Sequence, residues 1–337
     1  MRIVLDAMGS DACPHPEVDG AIQAIETFGD EIILVGNDAQ VRPLLEARGN
    51  PSKIRLIHAE ETITMEDKGL KLALKAKRKN SHTSMAIGMD LVKNGEADAF
   101  VTAGNTGGAL TTAYFRLGVM DGVERPGLTA MVPTKDGFCV VLDIGANPDC
   151  KPEHLLQFGI MGSVYAEKAL GVARPKVGLL SNGEEAGKGN ELVKAAFPLL
   201  QASTLNFFGN IEGKELFGGD VDVAITDGFT GNVLIKASEA VAKLLVDVLK
   251  EGMLSSTRTK IGAVLAKPAF TALKGMLDPD EIGAAPLLGL NGLVFVGHGR
   301  SNAKAIFSAI KAARSAVDAQ LVEAMGSAIQ EQLQQIS

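Results

Sequence analysis

The stretch Asp220-Val-Asp-Val-Ala-Ile-Thr-Asp-Gly-Phe-Thr-Gly-Asn232 constrains the fold more than any other part of the chain. Its apolar run, Val221 to Ile225, has the length and content of a strand buried on both faces, as parallel strands are. Asp227-Gly228 ends the run, Thr230-Gly231-Asn232 turns the chain, and Val233 to Lys250 continues in a helical pattern. A strand that feeds a glycine turn and then a helix aims free backbone N–H groups above the sheet. The helix dipole adds partial positive charge there, so an anion such as phosphate is the natural guest. Glycine permits close approach of the backbone, and the Thr230 and Asn232 side chains can donate hydrogen bonds. The same residues also suit an ordinary strand-to-helix turn capped by Thr230, and at this level both readings stand.

The pattern recurs along the chain. Ile3-Val4-Leu5 reads as a first strand, ended by Asp6-Ala-Met-Gly-Ser-Asp11 and followed by an amphipathic helix over 17–28. Strands at 32–35 and 54–57 flank a helix at 41–47, and 69–79 and 84–94 look helical. Ala99 to Thr102 is a strand, after which Ala103-Gly-Asn-Thr-Gly-Gly108 opens a helix to Leu117, a second glycine turn carrying Asn and Thr. The runs 128–132 and 138–142 read as a hairpin, and Pro152 opens a helix to about residue 170. Strands at 177–180, 207–208 and 290–296 follow, with a helix from about Asn190 and closing helices at 302–319 and 321–335. Such alternation predicts an α/β protein of three layers, a mostly parallel sheet with helices on both faces. With no low-complexity linker, residues 1–337 read as one unit with a helical protrusion at 252–280. The ligand belongs at the carboxyl ends of the strands.

Composition excludes several function classes. A chain of 337 residues with net charge −7, no Trp and two Tyr is a poor binder of nucleic acid. The cysteines Cys13, Cys139 and Cys150 have neither paired spacing nor a His at zinc-finger distance, which suits a reducing cytosol. The sequence shows no signal peptide and no membrane-spanning run, so the expected location is the cytoplasm or, at most, a membrane surface. None of the five histidines sits in a metal-ligand pair such as HExxH. The acyl-serine elbow, the nucleotide P-loop and a GxGxxG after the first strand are all missing. What remains is Asn, Thr, Asp, Lys and turn amides, a set that binds and orients an anion. If that anion is phosphate it is itself the nucleophile, and catalysis rests on positioning and on stabilising an oxyanion.

Six motifs occur in order: Asp6-Ala-Met-Gly-Ser-Asp11, Thr102-Ala-Gly-Asn-Thr-Gly107, Leu142-Asp-Ile-Gly-Ala-Asn147, Gly209-Asn-Ile-Glu-Gly213, Thr226-Asp-Gly-Phe-Thr-Gly-Asn-Val233 and Ala285-Pro-Leu-Leu-Gly-Leu-Asn-Gly292. With them the chain resembles, over nearly its whole length, the acyl-carrier-protein:phosphate acyltransferase family of bacterial phospholipid synthesis. Ser10 stands where that family usually has a second glycine, and Lys68 where proline is usual. The resemblance implies conversion of a long-chain acyl thioester and inorganic phosphate into acyl phosphate and free acyl carrier protein. It implies a homodimer, no metal and no cofactor, and a fold related to isocitrate and isopropylmalate dehydrogenases and to phosphotransacetylase. It also implies delivery of the product to a membrane-bound glycerol-3-phosphate acyltransferase.

On that resemblance Asn105, Thr106, Gly107 and Gly108 are expected to cradle phosphate from one side, with Thr230, Gly231 and Asn232 facing them. Lys188 is expected to add a full positive charge, and Asp227 to orient Lys188 or the phosphate; the alternatives are a surface lysine and a turn former. Two other functions remain open, an NAD-dependent hydroxy-acid dehydrogenase on the same fold and a non-catalytic scaffold of lipid synthesis. The first needs a divalent metal and an arginine cluster, and no such cluster lies beside Asp227 in sequence.

Two basic segments interrupt an otherwise acidic chain. Lys68, Lys71, Lys75 and Lys79 fall at helical steps, with Leu70 and Leu74 expected to face the core. The cations at 71, 75 and 79 then form a docking face for an acidic carrier protein, or merely a solvated helix face. In 252–277, Lys260, Lys267 and Lys274 recur every seven residues beside Ile261, Leu265 and Leu273, although Pro268 must split the segment. That arrangement suits contact with anionic lipid or burial at a dimer interface.

Overall fold

The computed structural model describes residues 1–78, 81–276 and 278–336, so Lys79 lies outside the described residues, as does the side chain of Lys274. The first part of the chain runs β1 (Arg2–Asp6), α1 (His15–Phe28), β2 (Glu31–Gly36), α2 (Asp38–Glu46), β3 (Ile54–His58), α3 (Gly69–Lys77), α4 (Ser84–Lys93), β4 (Ala99–Thr102) and α5 (Thr106–Arg116). The middle adds β5 (Gly127–Thr134), β6 (Gly137–Leu142), α6 (Pro152–Lys168), β7 (Lys176–Leu180), α7 (Glu191–Gln201), β8 (Asn206–Ile211), α8 (Gly213–Gly218), β9 (Val223–Ile225) and α9 (Gly228–Leu254). The end comprises α10 (Thr257–Leu265), α11 (Lys267–Met276), α12 (Pro279–Ile282), β10 (Ala284–Leu288), β11 (Leu293–Gly297), α13 (Ala303–Asp318) and α14 (Leu321–Ile336).

The strands form one sheet in the order β3-β2-β1-β4-β11-β10-β5-β6-β9-β7-β8. It is α/β in three layers and mostly parallel, with all its antiparallel pairings confined to the centre: β11 with β10, β10 with β5, and β5 with β6. Three reversals in a row leave β6, β9, β7 and β8 running against β1 to β4. The strands bury both faces. Ile3 and Leu5 point into one cluster with Val18 and Ala21 of α1 and Ile306 and Ile310 of α13, while Val4 points into another with Met85 and Met89 of α4. On β9, Val223 and Ile225 face the first cluster and Ala224 a third, beside Ile211 and Leu216. This two-sided burial is why the strands read as short continuous apolar runs.

Several expectations are corrected. The pair β10–β11 replaces a single strand at 290–296; Pro286 disguises β10 because proline argues against a central strand. It is tolerated because the ladder to β5 takes up only Leu287 and Leu288. The helix after β9 begins at Gly228 and not at Val233, so Thr230, Gly231 and Asn232 belong to its first turns. Its cap is Asp227, whose carboxylate is the better acceptor for the orphan amides. Leu70 and Leu74 do not face the core: they are 76% and 62% exposed, and Leu72 and Ala76 take the inward side. Lys260 and Lys267 lie on separate helices, α10 and α11, because Pro268 cannot continue α10. No described helix is long and apolar enough to cross a membrane.

Candidate active site

The first Asn/Thr turn joins β4 to α5. Thr102 donates its hydroxyl to buried Asp6 at 2.8 Å and accepts the Gly104 amide at 3.0 Å, which ties this turn to the loop after β1. Asn105 caps α5: its Oδ1 accepts from the Gly108 amide at 2.9 Å. Its Nδ2 donates to the carbonyls of Thr64 at 2.9 Å and Asp67 at 3.1 Å, so the turn holds the segment before α3. Thr106 and Gly107 are exposed, and their amides lead the helix, where no intrahelical acceptor exists.

Asp67 is buried beneath that segment and binds two lysines at 2.7 Å each, Lys71 and Lys75, and the Thr64 amide at 3.0 Å. The hydrogen bonds from Lys71 and then Lys75 hold its carboxyl well below the usual range. Lys75 also donates to the Thr62 carbonyl at 3.0 Å and is half-buried, whereas Lys71 stays exposed. Lys75 therefore braces the fold, and Lys71 beside Leu70 and Leu74 is the part of α3 that faces outward.

The second turn is built against a different partner. Asp227 accepts from the Thr230 amide at 2.8 Å and from its hydroxyl at 2.7 Å. The Gly228 amide donates to the Asn147 carbonyl at 2.8 Å, and Asn232 Nδ2 donates to the Ile144 carbonyl at 3.0 Å. Inside this corner the fully buried Asp143 carboxylate accepts amides from Leu128, Gly145, Ala146 and Asn147 and the Asn147 side chain. The motifs at 142–147 and 226–233 thus pack as one unit.

Lys188 lies in the loop between β7 and α7, exposed, with its stem against Gly183. Among the described residues no hydrogen bond joins it to Asp227, and none links the Asn105 turn with the Thr230 turn. The neighbouring Lys214 pairs with Glu184, Glu212 and Glu215, three carboxylates close enough to share a metal ion. Its ammonium offsets one of their three negative charges.

Sequence reasoning missed the cavity. About 420 Å³ opens between α9 and the loops after β1 and β11, lined by Asp11, Met65, Lys236, Glu239, His298, Gly299 and Arg300. The Asp11 amide donates to the Gly299 carbonyl at 2.7 Å, which closes the two loops against each other. Partial burial, then Arg300 and Lys236, push His298 below the usual imidazole range. Val296-Gly-His-Gly-Arg300 is itself a strand followed by a glycine turn with a basic residue, a signal present in the sequence. Nothing in spacing connects it to Lys236, more than sixty positions away in the chain. Met65 belongs to the segment that Asn105 holds, so the cavity and the start of α5 adjoin.

Comparison with known proteins gives a consistent result. Residues 1–324 match the family described as "Fatty acid synthesis protein". A phosphate acyltransferase of Pelotomaculum thermopropionicum is 46% identical over 330 residues, 98% of this chain and 95% of that protein. That of Acidobacterium capsulatum is 46% identical over 313 residues, 92% of each. Among solved structures, a phosphotransacetylase from Streptococcus pyogenes aligns with TM-score 0.59 at 19% identity, covering 94% of both chains. A 4-hydroxythreonine-4-phosphate dehydrogenase from Klebsiella pneumoniae aligns with TM-score 0.51 at 13% identity, covering 94% of this chain and 99% of that one, so the fold is dehydrogenase-like as well.

Proposed function

From the premise that the chain belongs to the fatty acid synthesis protein family of phosphate acyltransferases, and is an acyltransferase, we propose that it moves a long-chain acyl group from acyl carrier protein to inorganic phosphate. The observation that carries this reading is kinship over nearly the full chain at 46% identity, which includes the turns at 102–107 and 226–233. In the step itself a phosphate oxygen attacks the thioester carbonyl, a C–O bond forms, and the C–S bond breaks. The hydrogen phosphate proton ends on the departing thiolate, a weak base that needs little help to leave. Such a reaction asks for donors placed around a growing negative charge more than for a nucleophilic side chain.

The exposed Thr106 and Gly107 at the start of α5 are the neutral donors for phosphate, with Asn105 and Gly108 shaping the turn. Thr230, Gly231 and Asn232 serve the same anion from the start of α9 once it displaces the present acceptors of their donors, Asp227 for Thr230 and Gly231 and the Ile144 carbonyl for Asn232. Lys188 supplies charge from its exposed loop. The whole chain works as one unit and pairs as a homodimer through α9, whose Leu244, Leu245 and Val248 are exposed. Its basic α3 face receives the carrier protein, and α10 and α11 rest on a membrane surface near the enzyme that consumes the product.

The deciding assay combines purified protein, long-chain acyl carrier protein and phosphate without metal or NAD. Acyl phosphate and free carrier protein should accumulate in equal amounts. No acyl phosphate at saturating substrates rejects the reading. Lys188→Ala should then lower turnover or raise the KM for phosphate, and near-normal values for both remove Lys188 from the reaction.

A further inference from the structure

We infer that the cavity between α9 and the loop after β11 seats an inorganic phosphate ion, bound by Lys236 and Arg300 with Asp11 or Glu239 accepting its proton. The inference rests on the acyl-transfer reading and adds the charged part of its phosphate site. Lys236 and Glu239 stand three apart on α9 and so share one face, while His298 and Arg300 come from the loop after β11 and Asp11 from the loop after β1. The chain reversal at the centre of the sheet brings these elements from its two halves to one cavity of about 420 Å³. That space is several times larger than a phosphate ion and leaves room for the thioester end of a donor.

Four charged side chains line this space, yet none of the ion pairs among the described residues involves Asp11, Lys236, Glu239 or Arg300. Opposite charges arranged around a void without pairing are matched to a ligand that carries both an anionic and a donor end. Hydrogen phosphate is such a ligand near neutral pH: its oxygens accept from an ammonium and a guanidinium, and its one O–H donates to a carboxylate. Sulfate and a phosphodiester bear no such proton, and either would face Asp11 and Glu239 unprotonated. The carboxylates therefore favour free phosphate over a phosphate ester carried on the acyl donor. His298 lines the same space, where burial first and the Arg300 charge next lower its affinity for a proton. Met65 of the lining follows Thr64, whose carbonyl accepts from the Asn105 side chain, so the Asn105 turn is tied to the segment that borders this space.

The test measures binding of inorganic phosphate by calorimetry with no acyl donor present. Lys236→Gln and Arg300→Gln should each weaken phosphate affinity about tenfold or more, as loss of a charge-assisted hydrogen bond does. Lys236→Arg should restore most of it, which separates lost charge from a damaged fold. Sulfate should compete poorly with phosphate in the unmodified protein and better in Asp11→Asn or Glu239→Gln. Unchanged phosphate affinity in both Gln variants overturns the inference. So does a rise in KM for a phosphodiester-bearing acyl thioester without any change in phosphate affinity, since the occupant is then the donor. Phosphate binding that depends on Lys236 in a protein forming no acyl phosphate sinks the acyl-transfer reading and leaves this site standing.

Discussion

Gly231 and Asp143 meet backbone to backbone: a Cβ added to Gly231 would lie 1.9 Å from the Asp143 carbonyl oxygen. No side chain can relieve that clash, because both groups are main chain and Asp143 is locked by its own ring of amides. The contact joins the loop after β6 to the first turn of α9, and through α9 it sets the position of Lys236.

Gly231→Ala should therefore destabilise the fold by about 3 kcal/mol, the upper end of overpacking costs. Urea unfolding at neutral pH measures this, and activity should fall along with stability. A variant of unchanged stability and activity would show that the corner can open.

Glu17 offers a test by pH. It is fully buried, one oxygen accepts from the Ser10 amide at 2.9 Å, and the other has no partner, nor has the Ser10 hydroxyl. Burial pushes Glu17 up to about 7 from 4.5, against the opposing hydrogen bond from the Ser10 amide, and the same cause raises Asp6 beside it. The folded chain thus holds this proton more tightly than the unfolded chain. Its contribution to stability is complete below about pH 4.5, falls as pH rises, and is lost above about 7. Glu17→Gln should be more stable than the natural protein at pH 8, by up to about 3 kcal/mol, and no more stable at pH 4.5. An equal difference at both pH values would assign the effect to packing.

The α3 face makes a prediction about the carrier protein. Since Lys75 braces Asp67, reversing it would confuse docking with folding. Lys71 binds the same carboxylate, so Lys68→Ala combined with Leu74→Ser is the change confined to outward groups, and it should raise the KM for acyl carrier protein several-fold, more at low salt. A short acyl thioester should react as before. If the KM for the carrier protein and its salt dependence stay put, docking occurs elsewhere.

Ile261 and Leu265 on α10 are 61% and 78% exposed, with Lys260 and Lys267 nearby and also exposed. Flotation with anionic vesicles should carry the protein upward, and Ile261→Glu with Leu265→Glu should abolish it. Undiminished flotation by the doubly substituted protein would give the face another role.

The order of strands, turns and helices was legible from local pattern, since each strand is a short apolar run buried on both faces and each turn carries its own Gly, Asn or Asp. Asn105 as a cap could be read in the same way, because capping is decided within four residues. What pattern cannot report is which partner satisfies a group. Asn232 turns to Ile144, 88 positions away, Lys75 folds back on Asp67 before its own helix, and Leu74 is left to solvent while Leu72 packs inward. The strand β10 stayed hidden because its proline is tolerable only in view of which rungs β5 uses. The cavity was invisible for the same reason: Asp11, Lys236 and Arg300 come together only through the sheet's central reversal and the packing of α9. The sequence by itself determined the α/β class, the turns and the family, because these rest on local chemistry and on ordered motifs. The tertiary structure alone decided which charges share a space, because separation in space is set by packing and not by spacing along the chain.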